Sequence, residues 1–155
     1  MNFTIRELRA ANIVPDDQTV ELNLPSKIGY ERIAIGGVAE FAKSVGFSPP
    51  RIEDLKTSVA EACINAVQHG NKGKPDARVL LAITFKENTL FISVFDEGGG
   101  FKAELKDPNI ERIIDNLDPP VGFGVFLMKR LMDEVEFNKR SNHLHEVRMT
   151  MKLTG

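Results

Sequence analysis

The chain has 155 residues, of which 42% are hydrophobic and 27% are charged. This length suits one domain with a proper core, and the composition argues against disorder. The formal net charge of −2 provides no large positive field for a nucleic-acid backbone, so we expect no direct binding of DNA or RNA. The apolar runs are too short to span a membrane, and charges interrupt the region where a signal peptide would be apolar. We therefore expect a cytoplasmic protein.

The N-terminal region is predicted to be an arm, followed by one domain. Residues 1–17 have mixed periodicity and end in the turn signal Val-Pro-Asp-Asp, so we assign them to the arm and residues 18–155 to the domain. The alternation from Thr19 to Leu24 predicts a strand. A helix is expected to follow directly, with Ser26 as its N-cap.

Two consecutive helices are predicted by apolar residues at helical spacing. The first ends at Gly46 and contains the pair Gly36-Gly37. Because glycine destabilises a helix interior, this pair suggests that another element packs closely there. The second begins at Ser48-Pro49-Pro50 and ends near Gly70-Asn71. It carries Cys63, the only cysteine, which we interpret as a buried structural thiol.

The second half of the chain alternates strands with one long irregular stretch. Its predicted order is two hairpin strands (77–85 and 90–96), an irregular segment (98–121), a third helix (122–133) and a closing hairpin (135–139 and 146–153). The whole order, β-α-α-β-β-lid-α-β-β, predicts a two-layer α/β (α+β) sandwich. We expect a mixed, mostly antiparallel sheet with helices on one face.

The first motif that can carry chemistry is EACINAVQHGN, residues 61–71, at the end of the second helix. Glu61, Asn65 and His69 are spaced i, i+4 and i+8, which places them in a line on one helix face. Taken alone, this line fits a solvent-facing polar stripe. It also fits a chemical site, because an amide oxygen is a ligand suited to Mg²⁺ and a carboxylate one turn away can deprotonate a nucleophile.

Two glycine motifs complete the set. In DEGGGF, residues 96–101, an aspartate at a strand end can accept a hydrogen bond from an exocyclic amine, and the glycines let the backbone approach a flat ligand. In GFG, residues 122–124, the glycines precede a helix whose free N–H groups and positive dipole end suit a phosphate. Each alone also fits a plain glycine-rich turn or a flexible helix entry.

Together and in this order, the three motifs resemble the Asn box and the two glycine boxes of the GHKL superfamily (gyrase, Hsp90, histidine kinase and MutL ATPases). The resemblance runs from about Thr19 to Leu153 and implies a Bergerat-type ATP-binding fold. The EACxNAxxHG form of the first motif and LMDEV after the last one are most similar to the anti-sigma-factor serine kinases of the RsbW and SpoIIAB type.

The resemblance implies a role for each residue around the phosphates of ATP. Asn65 would coordinate Mg²⁺, and Glu61 would be the general base that activates a serine hydroxyl. The residues expected near the phosphates or the lid base are His69, Gly70, Gly122, Phe123, Gly124 and Val125.

The resemblance also implies the adenine contacts and the partners. Asp96 would bind the adenine amino group, with Thr150 nearby, and residues 102–121 would form the ATP lid. The remaining positions expected around the base are Gly98, Gly100 and Phe101. By the same resemblance, the partners would be a sigma factor and a STAS-domain anti-sigma-factor antagonist, and the chain would form a homodimer.

Two departures from the family pattern keep alternatives open. Pro120 stands where these kinases often carry a lid arginine, and His145-Glu146 stands where Gly-Thr is usual. A nucleotide-regulated protein-binding module without phosphotransfer therefore remains an alternative. A detached histidine-kinase domain is disfavoured because no helical segment carries a phosphoacceptor histidine, and we interpret His143 and His145 as exposed hairpin residues.

Overall fold

The structure is a computed structural model that describes residues 18–72, 74–98 and 123–154. Its elements follow the predicted order. They are β1 (Val20–Pro25), α1 (Glu31–Val45), α2 (Pro49–Asn65), a π-helical turn (Ala66–Gly70), β2 (Arg78–Lys86), β3 (Thr89–Asp96), α3 (Phe123–Leu131), β4 (Glu134–Ser141) and β5 (Leu144–Lys152). The predicted arm, the lid and the positions Gly100, Phe101 and Gly122 lie outside the described residues.

The five described strands form one sheet in the order β1-β2-β3-β5-β4. The predicted two-layer fold with a mostly antiparallel sheet is confirmed, and all four pairings between the described strands are antiparallel. Hairpins explain the pairings of β2 with β3 and of β4 with β5, since sequential antiparallel strands need only a short turn. The turn between β2 and β3 is formed by Glu87 and Asn88, which have φ values of 53° and 57° and match the mirror-image turns that hairpins prefer.

One face of the sheet packs against all three described helices. Strand residues at every second position supply this core, among them Leu81, Ile92 and Met149. The helices add apolar stripes, including Val38 of α1, Leu55 of α2 and Met128 of α3. Asp96 and His145 belong to this helix-facing side of the sheet by strand alternation, and the candidate site therefore lies between the sheet and the helices.

The start of α1 differs from the sequence prediction. The helix begins at Glu31 with Tyr30 at its N-cap position, so Ser26 does not cap it. Ser26 is instead buried, and its backbone N–H donates to the Ala77 carbonyl at 3.1 Å while its hydroxyl accepts a hydrogen bond from Asn71 at 2.9 Å. Local sequence preference would place this serine at a helix start, but it makes tertiary hydrogen bonds instead.

The two glycines inside α1 have different surroundings. A methyl group on Gly37 would contact Leu22 of β1 at 3.3 Å, whereas a methyl group on Gly36 would contact nothing within 4 Å. The close packing predicted for this pair is thus confirmed at Gly37 and wrong at Gly36. Within the described ranges, no helix is both long and apolar enough to cross a membrane.

Candidate functional site

The Asn-containing motif lies at the end of α2, where the α-helix gives way to a π turn. The Asn71 N–H donates to the Ala66 carbonyl at 2.7 Å, five residues back, which is the pattern of a π turn. The α-helical line through Glu61 and Asn65 therefore ends at Asn65, and His69 lies in the wider turn that follows.

The side chain of Asn65 does not belong to a solvated stripe. Asn65 is only 9% exposed, and its amide nitrogen has no hydrogen-bond partner among the residues that the structure describes. A buried amide without a partner costs free energy of about 1–3 kcal/mol. The solvent-facing interpretation is thus wrong for this residue, and the buried amide fits a side chain that binds a ligand.

Asn71 was not identified as a site residue from the sequence, and it connects three segments around the site. Its amide donates to Ser26 at 2.9 Å and to the Arg78 carbonyl at 3.0 Å, and its amide oxygen accepts from the Glu97 N–H at 2.8 Å. Asn71 thereby fixes the first glycine motif to the end of the π turn. Only its position after Gly70 in the first motif could have drawn attention to it.

Asp96 ends β3 and lies against two of the predicted glycines. Its carboxylate oxygen Oδ1 accepts from the Gly98 N–H at 3.0 Å. A side chain on Gly70 would overlap the Asp96 carboxylate, and a side chain on Gly98 would overlap the Gly70 carbonyl oxygen. The first two motifs are therefore in direct contact, with glycine required at both points of closest approach.

The second point of contact joins α2 to the start of α3. A side chain on Gly124 would overlap the Glu61 carboxylate, so Glu61 reaches the first turn of α3. Phe123 stacks on Phe126, with ring centroids 5.9 Å apart, and the side chain of Val125 is buried in the core. Because its side chain is buried, Val125 can contact a ligand only through its backbone. The general-base candidate and a helix N-terminus suited to phosphate thus adjoin each other.

Thr150, predicted near the adenine, lies on the other face of the sheet. Asp96 is paired with His145 in the register between β3 and β5, and Thr150 follows His145 by five positions. Because side chains alternate between faces, an odd separation puts Thr150 on the face opposite to Asp96. The prediction for Thr150 is therefore wrong, and the β5 residue beside Asp96 is His145.

The two residues that depart from the family pattern, His145 and Glu146, are both enclosed. The His145 side chain is 15% exposed, so its interpretation as an exposed hairpin residue is wrong, whereas His143 is exposed as predicted. Glu146 is buried on the opposite face and accepts hydrogen bonds from Ser93 at 2.5 Å and from two nitrogens of Arg140 at 2.8 and 2.6 Å. These partners satisfy the buried Glu146 carboxylate and give it a structural role.

Burial shifts three titratable groups near the site. Desolvation raises the pKa of the Glu61 carboxyl group, which suits a proton acceptor working closer to neutral pH. Desolvation also lowers the pKa of His145, while a backbone hydrogen bond at Gly98 acts in the opposite direction. The pKa of the Cys63 thiol is raised to about 12 by burial, which confirms the interpretation of Cys63 as an unreactive, buried thiol.

Comparison with known proteins gives consistent matches over most of the chain. A family model described as a histidine kinase-like ATPase domain matches residues 24–151. The serine-protein kinase RsbW of Bacillus pumilus is 38% identical over 132 residues, which cover 79% of this chain and 79% of that protein.

Two solved structures share the fold at low sequence identity. The SiaB-SiaC complex from Pseudomonas aeruginosa matches with a TM-score of 0.67 and 14% identity, over 95% of both chains. The RsbU and RsbW domains of a Mycobacterium tuberculosis protein match with a TM-score of 0.63 and 17% identity, over 87% of this chain and 32% of that one.

Proposed function

This chain belongs to the histidine kinase-like ATPase family and, within it, to the serine-protein kinases, and we propose that it binds ATP with Mg²⁺ and acts as an anti-sigma factor. In this proposal it phosphorylates a serine of a STAS-domain antagonist and holds a sigma factor. The observation that carries the proposal is the contact between Glu61 and Gly124, which brings a carboxylate with a raised pKa to the helix end where phosphate would bind.

The residues present fit one Mg²⁺ ion that is held largely by its substrate. Asn65 offers a buried side-chain amide whose nitrogen has no partner among the described residues. In the described part of the chain, no cluster of three His, Cys, Asp or Glu residues could hold a metal by itself. Mg²⁺ is commonly bound through one or two protein oxygens together with phosphate oxygens and waters, so Asn65 is a sufficient protein ligand. Bound there, the ion would neutralise phosphate charge.

The glycines of the site supply room and donors for the nucleotide. Gly70 leaves room for the Asp96 carboxylate, and Gly98 leaves room for the Gly70 carbonyl oxygen, because a side chain at either position would overlap that group. The first turn of α3 contains no acidic residue of its own, and its N–H groups and positive dipole end suit phosphate oxygens. In this proposal, the base lies near Asp96 and the phosphates lie near Gly124.

The proposed transfer is a single displacement. Glu61 accepts the proton of the incoming serine hydroxyl, a bond forms between the serine oxygen and the γ-phosphorus, and the bond to the β–γ bridging oxygen breaks to release ADP. Burial keeps the Glu61 carboxylate poorly solvated and therefore more basic than an exposed glutamate. The N–H groups of α3 stabilise the negative charge of the phosphoryl group as it moves.

The cellular part of the proposal rests on the family. We infer a cytoplasmic protein that forms a homodimer, holds a sigma factor and phosphorylates the antagonist of that sigma-factor complex. The motifs of residues 61–71 and 122–133 support this assignment, because their form is that of the anti-sigma-factor kinases.

A transfer assay with a matched control tests the kinase. Wild-type protein, Glu61→Ala and Glu53→Ala are incubated with Mg²⁺, labelled ATP and a purified STAS-domain protein. Glu53 lies on the same helix, is exposed and pairs with Lys56 at 3.3 Å, so its replacement should leave transfer unchanged. Loss of the general base should slow transfer by about 10²- to 10⁴-fold.

The contrary outcome favours the alternative function. If the wild type binds ATP tightly but labels no STAS-domain protein, the nucleotide-regulated binding module is supported, as Pro120 in the lid sequence would suggest. For the metal, Asn65→Ala should abolish Mg²⁺-dependent ATP binding, while Gln68→Ala, an exposed neighbour in the π turn, should not. Undiminished affinity in Asn65→Ala would overturn the site assignment.

A further inference from the structure

We propose that the outer face of the sheet, the face opposite to the three described helices, is a docking surface for residues 1–17 of the same chain. The predicted arm would then be a second layer of the domain. This inference does not depend on the nucleotide site, because every residue that supports it lies on the other side of the sheet.

The outer face has a buried apolar centre. Leu80 of β2 and Phe95 of β3 are register partners on this face, and both are 0% exposed. Ala82 and Leu144 lie on the same face by strand alternation and are also buried. In the described part of the chain, none of these four residues belongs to the hydrophobic cluster that the sheet forms with the helices. The described helices therefore do not account for their burial.

Polar side chains of the outer face are buried as well. The side chain of Glu146, the register partner of Phe95, is 0% exposed, and Thr84 and Thr150 are buried in a neighbouring row. A sheet face in contact with water would keep such groups hydrated, because burying a charged or polar group costs free energy. The buried area extends from β2 to β5, which requires a covering segment of several residues.

The arm meets the sheet on this face. Thr19, two positions after the arm, is buried, and its hydroxyl lies 2.8 Å from the hydroxyl of Thr84. Thr84 belongs to the outer face because its neighbour Ile83 belongs to the helix-side cluster. Residues 1–17 therefore adjoin the side of the sheet that carries the buried apolar centre.

The other long segment outside the described residues, 99–122, begins and ends on the helix side. A side chain on Gly98 would overlap the Gly70 carbonyl oxygen at the end of the π turn, and the chain resumes at Phe123 as the first residue of α3. Both ends of this segment thus lie across the sheet from Leu80. Residues 1–17 are better placed to cover the outer face.

The arm has the length and the composition for this contact. Seventeen residues reach about 55 Å when extended and about 25 Å when helical. Strands lie about 4.8 Å apart, so β1 and β5 are separated by about 14 Å, which either form can cross. The large apolar side chains that the arm can bury are Phe3, Ile5, Leu8, Ile13 and Val14.

Photo-cross-linking of the full chain tests which segment occupies the face. The protein is produced with a diazirine analogue in place of leucine and irradiated, and cross-links from Leu80 and Leu144 are mapped by mass spectrometry. Isotope-labelled and unlabelled copies are mixed beforehand, so that links between two chains are recognised. Leu55 is the matched control in the same sample, because it is fully buried in the helix-side cluster.

We expect Leu80 and Leu144 to cross-link to residues 1–17 of their own chain, whereas Leu55 should link only to helix-side residues. Links from Leu80 mainly to residues 99–122 would overturn the proposal and assign the face to that segment. Links between differently labelled chains would also overturn it and assign the face to a second copy.

Thiol labelling gives a second, independent measurement. Ala82→Cys adds a thiol to the outer face, while Cys63 is buried on the helix side and reports loss of the whole fold. In the Ala82→Cys chain, replacing Ile5 and Leu8 by aspartate should raise the labelling rate at position 82 by about tenfold or more, with Cys63 still protected. Losing two apolar contacts weakens packing by more than a tenfold change requires.

The control adds the same two charges at polar positions of the arm. Asn2→Asp combined with Thr4→Asp should leave the labelling rate at position 82 close to that of the Ala82→Cys chain. An unchanged rate in the Ile5 and Leu8 variant, or an equal rise in this control, would overturn the docking of the arm. ATP binding is not a readout in either experiment, so neither outcome bears on the proposed function.

Discussion

The glycines of helix α1 and those of the candidate site look alike in the sequence, but they differ in what lies beside them in the structure. Gly36 is exposed in a helix interior, and a methyl group there would contact nothing within 4 Å. At Gly70, Gly98 and Gly124, a side chain would overlap the Asp96 carboxylate, the Gly70 carbonyl oxygen or the Glu61 carboxylate. Where the backbone has an ordinary φ, a glycine is therefore required only if another group occupies the space of its missing side chain. Substituting alanine at each place tests this contrast.

The largest effect is expected for Gly98→Ala. The overlapping group is the backbone carbonyl of Gly70, which cannot rotate away, so the two motifs must separate. Overpacking of this kind costs about 1–3 kcal/mol, and we expect the upper end of this range in urea unfolding, together with loss of ATP binding. A Gly98→Ala protein that keeps both wild-type stability and ATP affinity would show that the two motifs are not in contact.

An intermediate effect is expected for Gly124→Ala. The overlapping group is the end of the Glu61 side chain, which can move, so the fold should persist while the carboxylate is displaced from α3. Because a general base contributes about 10²-fold or more, we expect phosphotransfer to fall by about that factor with a smaller change in ATP affinity. Steady-state kinetics with a STAS-domain substrate measure both.

The same variant should change the pH profile of transfer. In the wild type, burial raises the pKa of Glu61, so the base becomes protonated and the rate falls at a higher pH than for an ordinary glutamate. If Gly124→Ala moves the carboxylate toward water, its pKa falls and the acidic limb of the profile shifts to lower pH. An acidic limb that stays in place would argue that Glu61 remains where it is or is not the base.

The smallest effect is expected for Gly36→Ala. Alanine is a better helix former than glycine by about 1 kcal/mol and meets no neighbour at this position, so the variant should be more stable by up to that amount. ATP affinity should not change. Chemical denaturation checks the sign, and a destabilised variant would contradict the open space beside Gly36.

Most of the fold was accessible from the sequence. Period-2 and helical patterns predicted every described strand and α-helix in the right order, although not the π turn, and the helix end at Gly46 is confirmed by its left-handed φ of 106°. Local preference failed at Ser26, which the sequence assigned to a helix cap but which is buried against Asn71. The antiparallel pairings of β1 with β2 and of β3 with β5 were also not fixed by the patterns, because alternation alone does not define strand direction.

The candidate site was predicted in part. The two motifs that begin at Glu61 and Asp96 do converge. In contrast, Thr150 lies on the sheet face opposite to Asp96, and His145 was predicted to be exposed but is largely buried. Strand alternation is visible in the sequence, but the pairing of β3 with β5 that places His145 beside Asp96 is not. Register depends on contacts between segments that are distant in the chain.

By itself, the sequence determined the motifs, their order and the type of chemistry they support, because these depend on residue type and local spacing. Only the tertiary structure decided which glycines are indispensable, which polar side chains are buried, and which residue of β5 stands beside Asp96. These properties depend on what occupies the neighbouring space, and that space is filled by residues far away in the chain. The difference between Gly36 and Gly98 is the clearest case, since the same residue type is dispensable in one place and in contact with another backbone in the other.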